Sequence, residues 1–584
     1  MAPGRVFPRR TVLGSITGAK AGLPLGKEIA IRSPIVTRRD FINGTLIGAA
    51  GLSAGALWGG VAHGAEPGGG SPARERGDPY QLCHKLAHGQ QWPIPPASGK
   101  LYDCIVIGGG ISGLAAAWQL RKLDRHDILV LEKNSEVGGF CRDERSGRQC
   151  YSVASSYTEY PDTRSLVALY TDLGVLSGAD AGGRPVVADR YLPKSTESKD
   201  YVDRVWYDDA WDSGSDRLPL PKKCRDDFRA FRDDLQRWYG YVGTDGRDAF
   251  AKPTDRSTTD AAVRDLDRVT LKEYIAGKGW DAKVSEFFDP FIRSALGTTH
   301  DRVSAWAAVS FLSGEFGFVS DPNAPPNARQ PVCVLTQPGG NGYLSRLLAD
   351  RLGRDRLRTG AMVVQARNEG GQVQVTCLDG ETPRTLRART AIYAAPRYMA
   401  TRLLPELTAE ARAEAKAFRY APYLVANVHV SRTPVPGMWN GLAHGDFFVT
   451  DFVVADWSGL ADPGAASPAR PNVLTVYAPL VAAGSRRELL TKPAEYYAQR
   501  VLGDLDRLLP SVRETVTGVD LYRWGHAMVI ADKGFIFSAA RRNAARPLGR
   551  LFFAHHDVDG VPAFENAVTS GIRAAQEADE TIAG

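Results

Sequence analysis

The chain has 584 residues and a formal net charge of +6, from 72 Lys and Arg against 66 Asp and Glu. The whole surplus lies in residues 1–65, which hold eight cations and two anions, so the remaining 519 residues carry 64 charges of each sign. A body without net charge gives no reason to expect a nucleic-acid partner, whose phosphates are normally met by an excess of Lys and Arg. The 43% apolar content, with 60 Gly and 36 Pro, also excludes a disordered or fibrous chain and fits a loop-rich enzyme of two interleaved domains.

The N-terminal cations lie in a stretch that is typical of a twin-arginine export signal. Thr37-Arg38-Arg39-Asp40-Phe41-Ile42 precedes a charge-free run, residues 41–62, that is rich in Gly, Ala and Leu. A retained transmembrane helix is the alternative, but six glycines in this run lower its hydrophobicity and helix propensity. We therefore expect residues 1–65 to be recognised by the twin-arginine translocase and cleaved near Ala62 or Ala65. The mature protein is then periplasmic or otherwise exported and has no stable membrane span.

The next signature begins with a predicted strand, residues 102–107, followed by Gly108-Gly109-Gly110-Ile111-Ser112-Gly113 and an Ala-rich helix. Gly108 permits a tight turn, Gly110 lets the backbone approach a pyrophosphate, and Gly113 permits close helix packing. The phosphates would lie on the helix N-terminus, where the free N–H groups and the helix dipole favour anions, so Ile111 and Ser112 are candidate contacts as well. A second strand ends at Glu132, the acid expected to bind the adenosine ribose. These features together predict a dinucleotide site.

The residues after this acid indicate which dinucleotide is bound. The stretch Glu132-Lys133-Asn134-Ser135-Glu136-Val137-Gly138-Gly139 resembles the extension of the flavin amine oxidase superfamily, in which the second glycine pair meets the pyrophosphate of FAD. The resemblance implies FAD as the cofactor, with Lys133, Gly138 and Gly139 among its contacts. The family usually has Arg directly after the glycine pair, whereas this chain has Phe140. Arg142, two residues later, is the candidate to take over the phosphate contact.

Two segments in the middle of the chain extend the resemblance. Residues 337–344 look like the family's turn from the substrate domain back to the FAD domain. Residues 389–396 resemble the strand that closes the adenosine pocket. The resemblance implies that backbone groups of Val363 or Val364 hold the adenine.

The C-terminus also matches the family. Residues 549–557 and 564–571 resemble its terminal strand, its acidic residue and the helix that points at the flavin ring. Asp557 is then expected to bind the ribityl or pyrophosphate region. The start of the helix, with Phe564 and Ala567, would present N–H groups and a positive dipole end to the flavin, which favours the anion of the reduced cofactor.

The motif order predicts an α/β fold with a discontinuous, doubly wound, Rossmann-like FAD-binding domain and an interleaved α+β substrate domain. An N-terminal arm is expected at residues 66–100. The FAD-binding segments are predicted at residues 101–165, 330–400 and 520–584, and the substrate-binding segments at residues 166–329 and 401–519.

Within the superfamily, residues 37–44, 83–86, 108–113 and 523–528 together resemble exported bacterial spermidine dehydrogenase-like proteins. Such enzymes oxidise a C–N bond of a polyamine by hydride transfer to flavin N5, and water then hydrolyses the imine. Trp524 and His526 are the first candidates for the residues that contact the amine beside the flavin, and Tyr477 is a further candidate. An ordinary hydrogen-bonded core histidine is an equally good interpretation of His526, and an ordinary strand aromatic is the alternative for Tyr477.

The electron acceptor is expected to be something other than oxygen. The superfamily's oxidases often place a Lys near flavin N5, and the matching segment, residues 420–430, contains none. The enzymatic alternatives are an amino-acid oxidase and a desaturase, and the non-enzymatic alternative is a flavin-binding electron-transfer or assembly protein. Haem is not expected, because no Cys-x-x-Cys-His occurs. The seven cysteines have no metal spacing, so no metal site is expected either.

Overall fold

The computed structural model describes residues 73–584, apart from residues 148, 162, 182, 184, 192–196, 209, 211–215, 317–333, 336–340, 436–437 and 456–469. The predicted leader, residues 1–65, lies outside the described residues, so its role in export stays a prediction. In the part of the chain that is described, no helix is both long enough and apolar enough to cross a membrane.

The strands of the described residues are β1 (Ala73–Arg76), β2 (Leu101–Ile107), β3 (Ile128–Leu131), β4 (Asp143–Ser146), β5 (Gln149–Ser152), β6 (Thr158–Glu159), β7 (Leu176–Ala179), β8 (Pro185–Val187), β9 (Glu197–Val202), β10 (Val205–Asp208), β11 (Val334–Leu335), β12 (Leu357–Arg358), β13 (Ala361–Glu369), β14 (Gln372–Asp379), β15 (Thr382–Tyr393), β16 (Tyr420–Val430), β17 (Met438–Ala443), β18 (Asp451–Val454), β19 (Asn472–Pro479), β20 (Val516–Val529) and β21 (Leu551–Phe553).

The α-helices are α1 (Gln81–Ala87), α2 (Ile111–Lys122), α3 (Arg164–Asp172), α4 (Lys222–Tyr239), α5 (Ala261–Leu266), α6 (Leu271–Gly277), α7 (Ala282–Phe287), α8 (Asp289–Leu296), α9 (Ala305–Phe316), α10 (Gly342–Leu352), α11 (Arg397–Leu403), α12 (Ala409–Ala417), α13 (Ser485–Thr491), α14 (Ala494–Leu508), α15 (Ala539–Asn543) and α16 (Phe564–Ala583).

A seven-stranded sheet contains the predicted dinucleotide motif. Its order is β12-β3-β2-β15-β14-β13, with β21 paired to β15. The pairs among β12, β3, β2, β15 and β21 are parallel, whereas β13, β14 and β15 form an antiparallel meander. β2 and β3 are almost continuously apolar because α2 and α16 cover one face of the sheet and α11 packs on the other. The strands come from separated stretches of the chain, so the predicted α/β fold with a discontinuous dinucleotide-binding part is confirmed.

Glycines let α16 press against the start of α2. A Cβ added at Gly571 of α16 would lie 2.2 Å from the carbonyl oxygen of Ser112, in the first turn of α2. Real Cβ atoms do not approach a backbone oxygen so closely, so only glycine fits at this contact. The contact brings the C-terminal helix to the dinucleotide turn.

An eight-stranded sheet forms the second half of the core, in the order β1-β20-β16-β19-β18-β17-β9-β10. The residues of β16, β17 and β18 are buried along their whole length. One face packs on α14, where Val501 and Leu505 join Val428 and Leu474 in an apolar cluster. Side chains alternate across a strand, so the opposite face of the same strands is free to line a cavity.

The helices from α4 to α9 form a separate apolar cluster beside this sheet. Phe228 and Phe231 of α4 pack against Phe288, the residue that precedes α8, and Leu312 of α9 belongs to the same cluster. This helical layer places the C-terminal part of α8 beside the free face of the second sheet.

β20 runs through the domain boundary that the sequence predicts at residue 520. All 14 of its residues belong to the eight-stranded sheet, where β20 pairs with β16 on one side and with β1 on the other. Trp524 therefore lies in the eight-stranded sheet and not in the sheet that contains the dinucleotide motif. The N-terminal arm, through β1, also becomes a strand of that sheet.

Candidate functional site

A cavity of about 810 Å³ extends from the dinucleotide turn to the free face of the second sheet. Its walls come from the β2–α2 turn, the loop after β5, α1 of the N-terminal arm, the C-terminal part of α8, strands β16 to β20, and the start of α16. Among the predicted contacts, it is lined by Gly108, Gly110, Ile111, Ser112, Glu132, Lys133, Gly138, Gly139, Phe140, Tyr477, Trp524, His526, Phe564 and Ala567.

The dinucleotide turn has the geometry of a phosphate cradle. Gly108 has φ +108°, and a Cβ there would lie 2.9 Å from the carbonyl oxygen of Ala394. Gly113 lies behind the turn rather than in the cavity wall, and its Cβ would lie 1.9 Å from the carbonyl oxygen of Gly108. α2 starts at Ile111 without a side-chain cap, so its first N–H groups are free for an anion. In the described structure, the buried hydroxyl of Ser112 also has no hydrogen-bond partner.

The second glycine pair lies directly opposite this turn. Gly138 donates its N–H to the carbonyl of Gly109 over 2.7 Å and forms a β-bridge with Gly110. Gly138 and Gly139 both have positive φ, at 117° and 60°. Backbone groups of the two turns therefore face the same part of the cavity without side chains between them, as a bound pyrophosphate requires.

Glu132 directly follows β3 at the edge of the cavity. Its two carboxylate oxygens accept the N–H groups of Gly109, over 2.8 Å, and Asn134, over 2.9 Å. Burial raises the pKa of this carboxyl, although both hydrogen bonds favour its charged form. The acid is thus held rigidly where a ribose hydroxyl can donate to its remaining lone pairs.

Arg142 does not line the cavity, so the direct phosphate contact expected from the sequence is not what the structure shows. Its Nη2 lies 2.6 Å from Oδ1 of Asp78 in the N-terminal arm, and its Nε donates to the carbonyl of Gly139 over 2.9 Å. Asp78 also accepts the side-chain N–H of Asn134 over 2.8 Å, and the Nζ of Lys133 lies 3.7 Å away. Arg142 therefore ties the second glycine turn to the arm.

The arm closes one side of the cavity. β1 pairs with β20, and Leu86 of α1 is buried in the apolar cluster that contains Ile107 and Met362. Tyr80, Cys83 and His84 of the same segment line the cavity. Residues 73–87 thus connect the eight-stranded sheet to the dinucleotide turn.

At two other predicted contacts, a neighbouring residue lines the cavity instead. Val363 lines the cavity, whereas Val364 does not, and an irregularity in the β13–β14 register falls between Val363 and Gln365. Asp557 is fully buried behind the wall, where its Oδ2 accepts the N–H of Arg397 over 2.8 Å and the hydroxyl of Tyr420 over 2.6 Å. A direct contact of Asp557 with the ribityl chain is therefore not what the structure shows.

His555 and His556 line the cavity in front of Asp557. They lie in the segment that resembles the family's terminal strand and acid, but neither is predicted from the sequence as a cofactor or substrate contact. His555 has φ 128°, a strained conformation for a residue with a side chain. Its Nδ1 lies 2.9 Å from Oδ1 of Asp557, and the Nε2 of His556 lies 3.2 Å from the same oxygen. Burial raises the pKa of Asp557, but the two imidazoles and its hydrogen bonds outweigh burial and hold that pKa below its usual range. Burial lowers the pKa of His556 to about 3, so this imidazole is neutral at pH 7.

The same three side chains place their ligand atoms within 4.8 Å of one another, which is close enough for a metal ion. The sequence predicts no metal site, and that stays a prediction. The adjacent His-His pair before an acid was the available signal for this cluster.

Trp524 and Tyr477 hold the loop after β5. Trp524 Nε1 donates to the carbonyl of Val153 over 3.2 Å, and its ring meets Phe140 edge-on at 4.9 Å between centroids. The hydroxyl of Tyr477 donates to the carbonyl of Ala154 over 2.7 Å and also bonds to Ser156. Both rings line the cavity, so they shape it and fix the loop at the same time.

His526 lies on the arm side of the cavity. Its ring stacks on Tyr398, with 4.2 Å between centroids and 20° between planes. Burial lowers its pKa to about 4, with a further contribution from Arg486, so the imidazole is neutral at pH 7. The structure brings His526 to the cavity but not into the group formed by Trp524 and Tyr477 with the loop after β5.

Asp451 is a buried cavity residue that sequence reasoning missed. It begins β18, is 8% exposed, and accepts the hydroxyl of Thr450 over 2.7 Å. Burial raises its pKa to about 6. An acid at the start of the apolar run Asp451-Phe452-Val453-Val454 was the only sequence signal.

Comparisons with known proteins agree with this geometry. The sequence profile of the family described as "Flavin containing amine oxidoreductase" matches residues 111–578. Oxidoreductase PigB of Serratia sp. (strain ATCC 39006) is 24% identical over 540 residues, which cover 82% of this chain and 75% of that protein. Amine oxidase [flavin-containing] B of Sus scrofa is 23% identical over 500 residues, covering 81% of this chain and 85% of the relative.

Solved structures share the fold. Wild-type putrescine oxidase bound to putrescine superposes with a TM-score of 0.60 at 21% identity, covering 82% of this chain and 99% of that chain. Cyclohexylamine oxidase from Brevibacterium oxydans IH-35A gives a TM-score of 0.60 at 18% identity, with 83% and 100% coverage.

Proposed function

Since the chain belongs to the family of flavin-containing amine oxidoreductases, with FAD as its cofactor, we propose that it oxidises a polyamine such as spermidine at a C–N bond. The product is an imine, which water hydrolyses to an aldehyde and a shorter amine. The single observation that carries the proposal is the continuous cavity, which joins the dinucleotide turn to an aromatic chamber containing the buried acid Asp451.

The residues present fit FAD. The two glycine turns and the free start of α2 would hold the pyrophosphate, Glu132 the adenosine ribose, and Met362 and Val363 the adenine side. Bound FAD supplies the hydride acceptor, through its N5 atom. α16 begins at Phe564 without a side-chain cap, so its first N–H groups and dipole are free to stabilise negative charge on the flavin ring.

The side chains of the chamber orient the amine and exclude bulk water from it. Tyr423, Tyr477 and Trp439 form apolar walls around the chamber. Its buried polar groups include Ser156, Asp200, Asn440 and Asp451. A neutral amine lone pair drives hydride loss from the adjacent carbon, so the site must orient that carbon and exclude bulk water. The buried rings perform both tasks.

An electron acceptor other than oxygen is part of the proposal. In β16, the strand in which related oxidases often place a Lys, the side chain that lines the cavity beside Tyr423 is Val425. Of the lysines in the described residues, only Lys133 lines the cavity, on the ribose side next to Glu132. The acceptor is unidentified, and a twin-arginine leader would deliver the loaded enzyme to the periplasm.

An amino-acid substrate fits the cavity less well, because its carboxylate needs a cation that is free to bind it. Arg486 and Arg523 line the cavity, but both already donate to the protein. Arg486 bonds to the carbonyls of Gly525 and Tyr420, and Arg523 bonds to the carbonyls of Leu489 and Lys492. These bonds favour an amine over an amino acid.

The test is anaerobic flavin bleaching. Purified, FAD-loaded protein is mixed with spermidine in the absence of oxygen and of any acceptor, and the visible flavin absorbance is followed. Bleaching is expected, and a dye such as phenazine methosulfate should then restore the absorbance. A flavin that stays oxidised with spermidine, putrescine and simple monoamines would refute amine oxidation and favour an electron-transfer or assembly role.

A further inference from the structure

One row of side chains crosses the second sheet and faces the cavity. Val425 on β16 lies opposite Tyr477 on β19, which lies opposite Asp451 on β18. Asp451 lies opposite Leu442 on β17, and Leu442 opposite Asp200 on β9. All five residues line the cavity. Residues directly opposite one another on neighbouring strands point to the same face, so the row is continuous.

The row changes character with distance from the flavin side. Neighbouring strands lie about 4.8 Å apart, so Asp451, two strands from Val425, is about 10 Å along the row. The part nearest Val425 is aromatic, because Tyr423 and Tyr477 meet edge-on with 6.1 Å between centroids and 82° between planes. Farther from Val425, the row contains two acids, Asp451 and Asp200. A substrate that lies along the row therefore passes from aromatic rings to a carboxylate.

Asp451 is the acid in this row that has capacity for a cation. Its Oδ1 accepts the hydroxyl of Thr450, and Ser294 and Asn440 also contact the carboxylate. The hydroxyl of Tyr477, on the neighbouring strand, donates its hydrogen bond to the carbonyl of Ala154 and not to Asp451. Asp200, farther along, already has the Nε2 of His444 at 2.6 Å from its Oδ1.

Burial outweighs the groups that favour the charged form of Asp451. Its three hydrogen bonds and the charge of Arg293 lower its pKa, yet burial still raises that pKa to about 6. Arg293 acts on Asp451 only through space and lies 3.9 Å from a different acid, Asp289. Burial raises the pKa of Tyr423 and of Tyr477 well above the usual value, so both phenols are neutral. A buried carboxylate without a cation is destabilised by desolvation, which a bound ammonium group would offset.

We propose that Asp451 binds a second ammonium group of the substrate, so that the enzyme selects di- and polyamines over monoamines. The inference rests on the proposed amine oxidation. It adds that the reacting amine lies beside Val425 and Tyr423 while a distal amine pairs with Asp451. The rings of Tyr423 and Tyr477 enclose the alkyl chain between the two amines and add cation–π attraction at both ends.

The test compares 1,4-diaminobutane with butan-1-amine on the FAD-loaded enzyme. Stopped-flow bleaching without oxygen gives an apparent Kd for each amine. We expect the wild type to bind the diamine at least tenfold more tightly. Asp451→Asn should remove that difference by weakening diamine binding alone, and Asp451→Glu should retain most of it. Asp208→Asn is the control, because Asp208 is exposed, pairs with Lys199 and does not line the cavity.

Equal affinities for the two amines in the wild type would overturn the inference without any variant. It would also be overturned if Asp451→Asn weakened both amines equally, or if Asp200→Asn rather than Asp451→Asn abolished the preference. Failure of both amines, and of spermidine, to bleach the flavin would instead refute the proposed function. Isothermal titration with 1,4-diaminobutane would then still decide the subsite: binding lost in Asp451→Asn supports it, and no binding to the wild type overturns it.

Discussion

Replacement of Asp78 by Asn should loosen FAD without unfolding the protein. The carboxylate of Asp78 holds Arg142 at 2.6 Å, and the two side chains are only 18% and 15% exposed. Hydrogen bonds to charged groups of this kind contribute about 1.5–3 kcal/mol. Asn keeps one acceptor but loses the charge, so roughly half of this contribution, about 0.8–1.5 kcal/mol, should disappear. Since about 1.4 kcal/mol is tenfold in affinity, the Kd for FAD should become roughly four- to twelvefold weaker.

The assay is retention of FAD, independent of turnover. Wild type and Asp78→Asn are dialysed against buffer, the released flavin is measured by fluorescence, and the Kd follows from titration of FAD into the stripped protein. Asp127→Asn is the matched control, because its ion pair with Lys100 has side chains 60% and 57% exposed and contributes little. If Asp78→Asn retained FAD as firmly as the control at the same Tm, the arm would have no part in holding the cofactor.

Three further outcomes are expected. Gly113→Ala should yield protein without flavin absorbance, since its Cβ would lie 1.9 Å from a backbone oxygen. Gly503→Ala, whose Cβ would meet nothing within 4 Å, should keep FAD. A flavin-loaded Gly113→Ala protein would contradict this account of the turn. Val425→Lys should raise the rate of peroxide formation in air several-fold over Val425→Met, and equal rates would argue against the proposed basis of low oxygen reactivity. Binding of 1,4-diaminobutane should weaken as the pH falls through about 6, because protonation of Asp451 removes the charge that pairs with the cation, and this pH dependence should be absent in Asp451→Asn.

The part of the site that could be predicted from the sequence is local in the chain. Gly108, Gly113 and Glu132 belong to one strand-turn-helix-strand unit, so their spacing alone fixes their relative positions. The C-terminal segment is local in the same sense, and its resemblance to the family correctly predicts the strand β21 and the start of α16.

The remaining part depends on long-range pairing or on backbone conformation. Asp451 gains its position from the register of β18 with β19 and β17, strands whose order in the sheet cannot be read from short motifs. The resemblance implies that Asp557 is a ligand, but His555, with φ 128°, and His556 line the cavity, and Asp557 is buried behind them. Val364 likewise adjoins an irregularity of the β13–β14 register that no short motif reveals.

The cross-strand row also has a consequence for how substrate length can change within this fold. Each position of the row belongs to a different strand, so moving the acid from Asp451 to the place of Leu442 or Tyr477 would shift it by about 4.8 Å in either direction. Exchanging Asp451 with Leu442 leaves the backbone pairing intact, because strand hydrogen bonds do not depend on the side chain. An acid in the place of Tyr477 would also remove the hydrogen bonds that hold the loop after β5. On the proposed role of Asp451, chain-length preference is adjustable in discrete steps set by the strand spacing, and related enzymes with other amines can be sought by the strand that carries their acid.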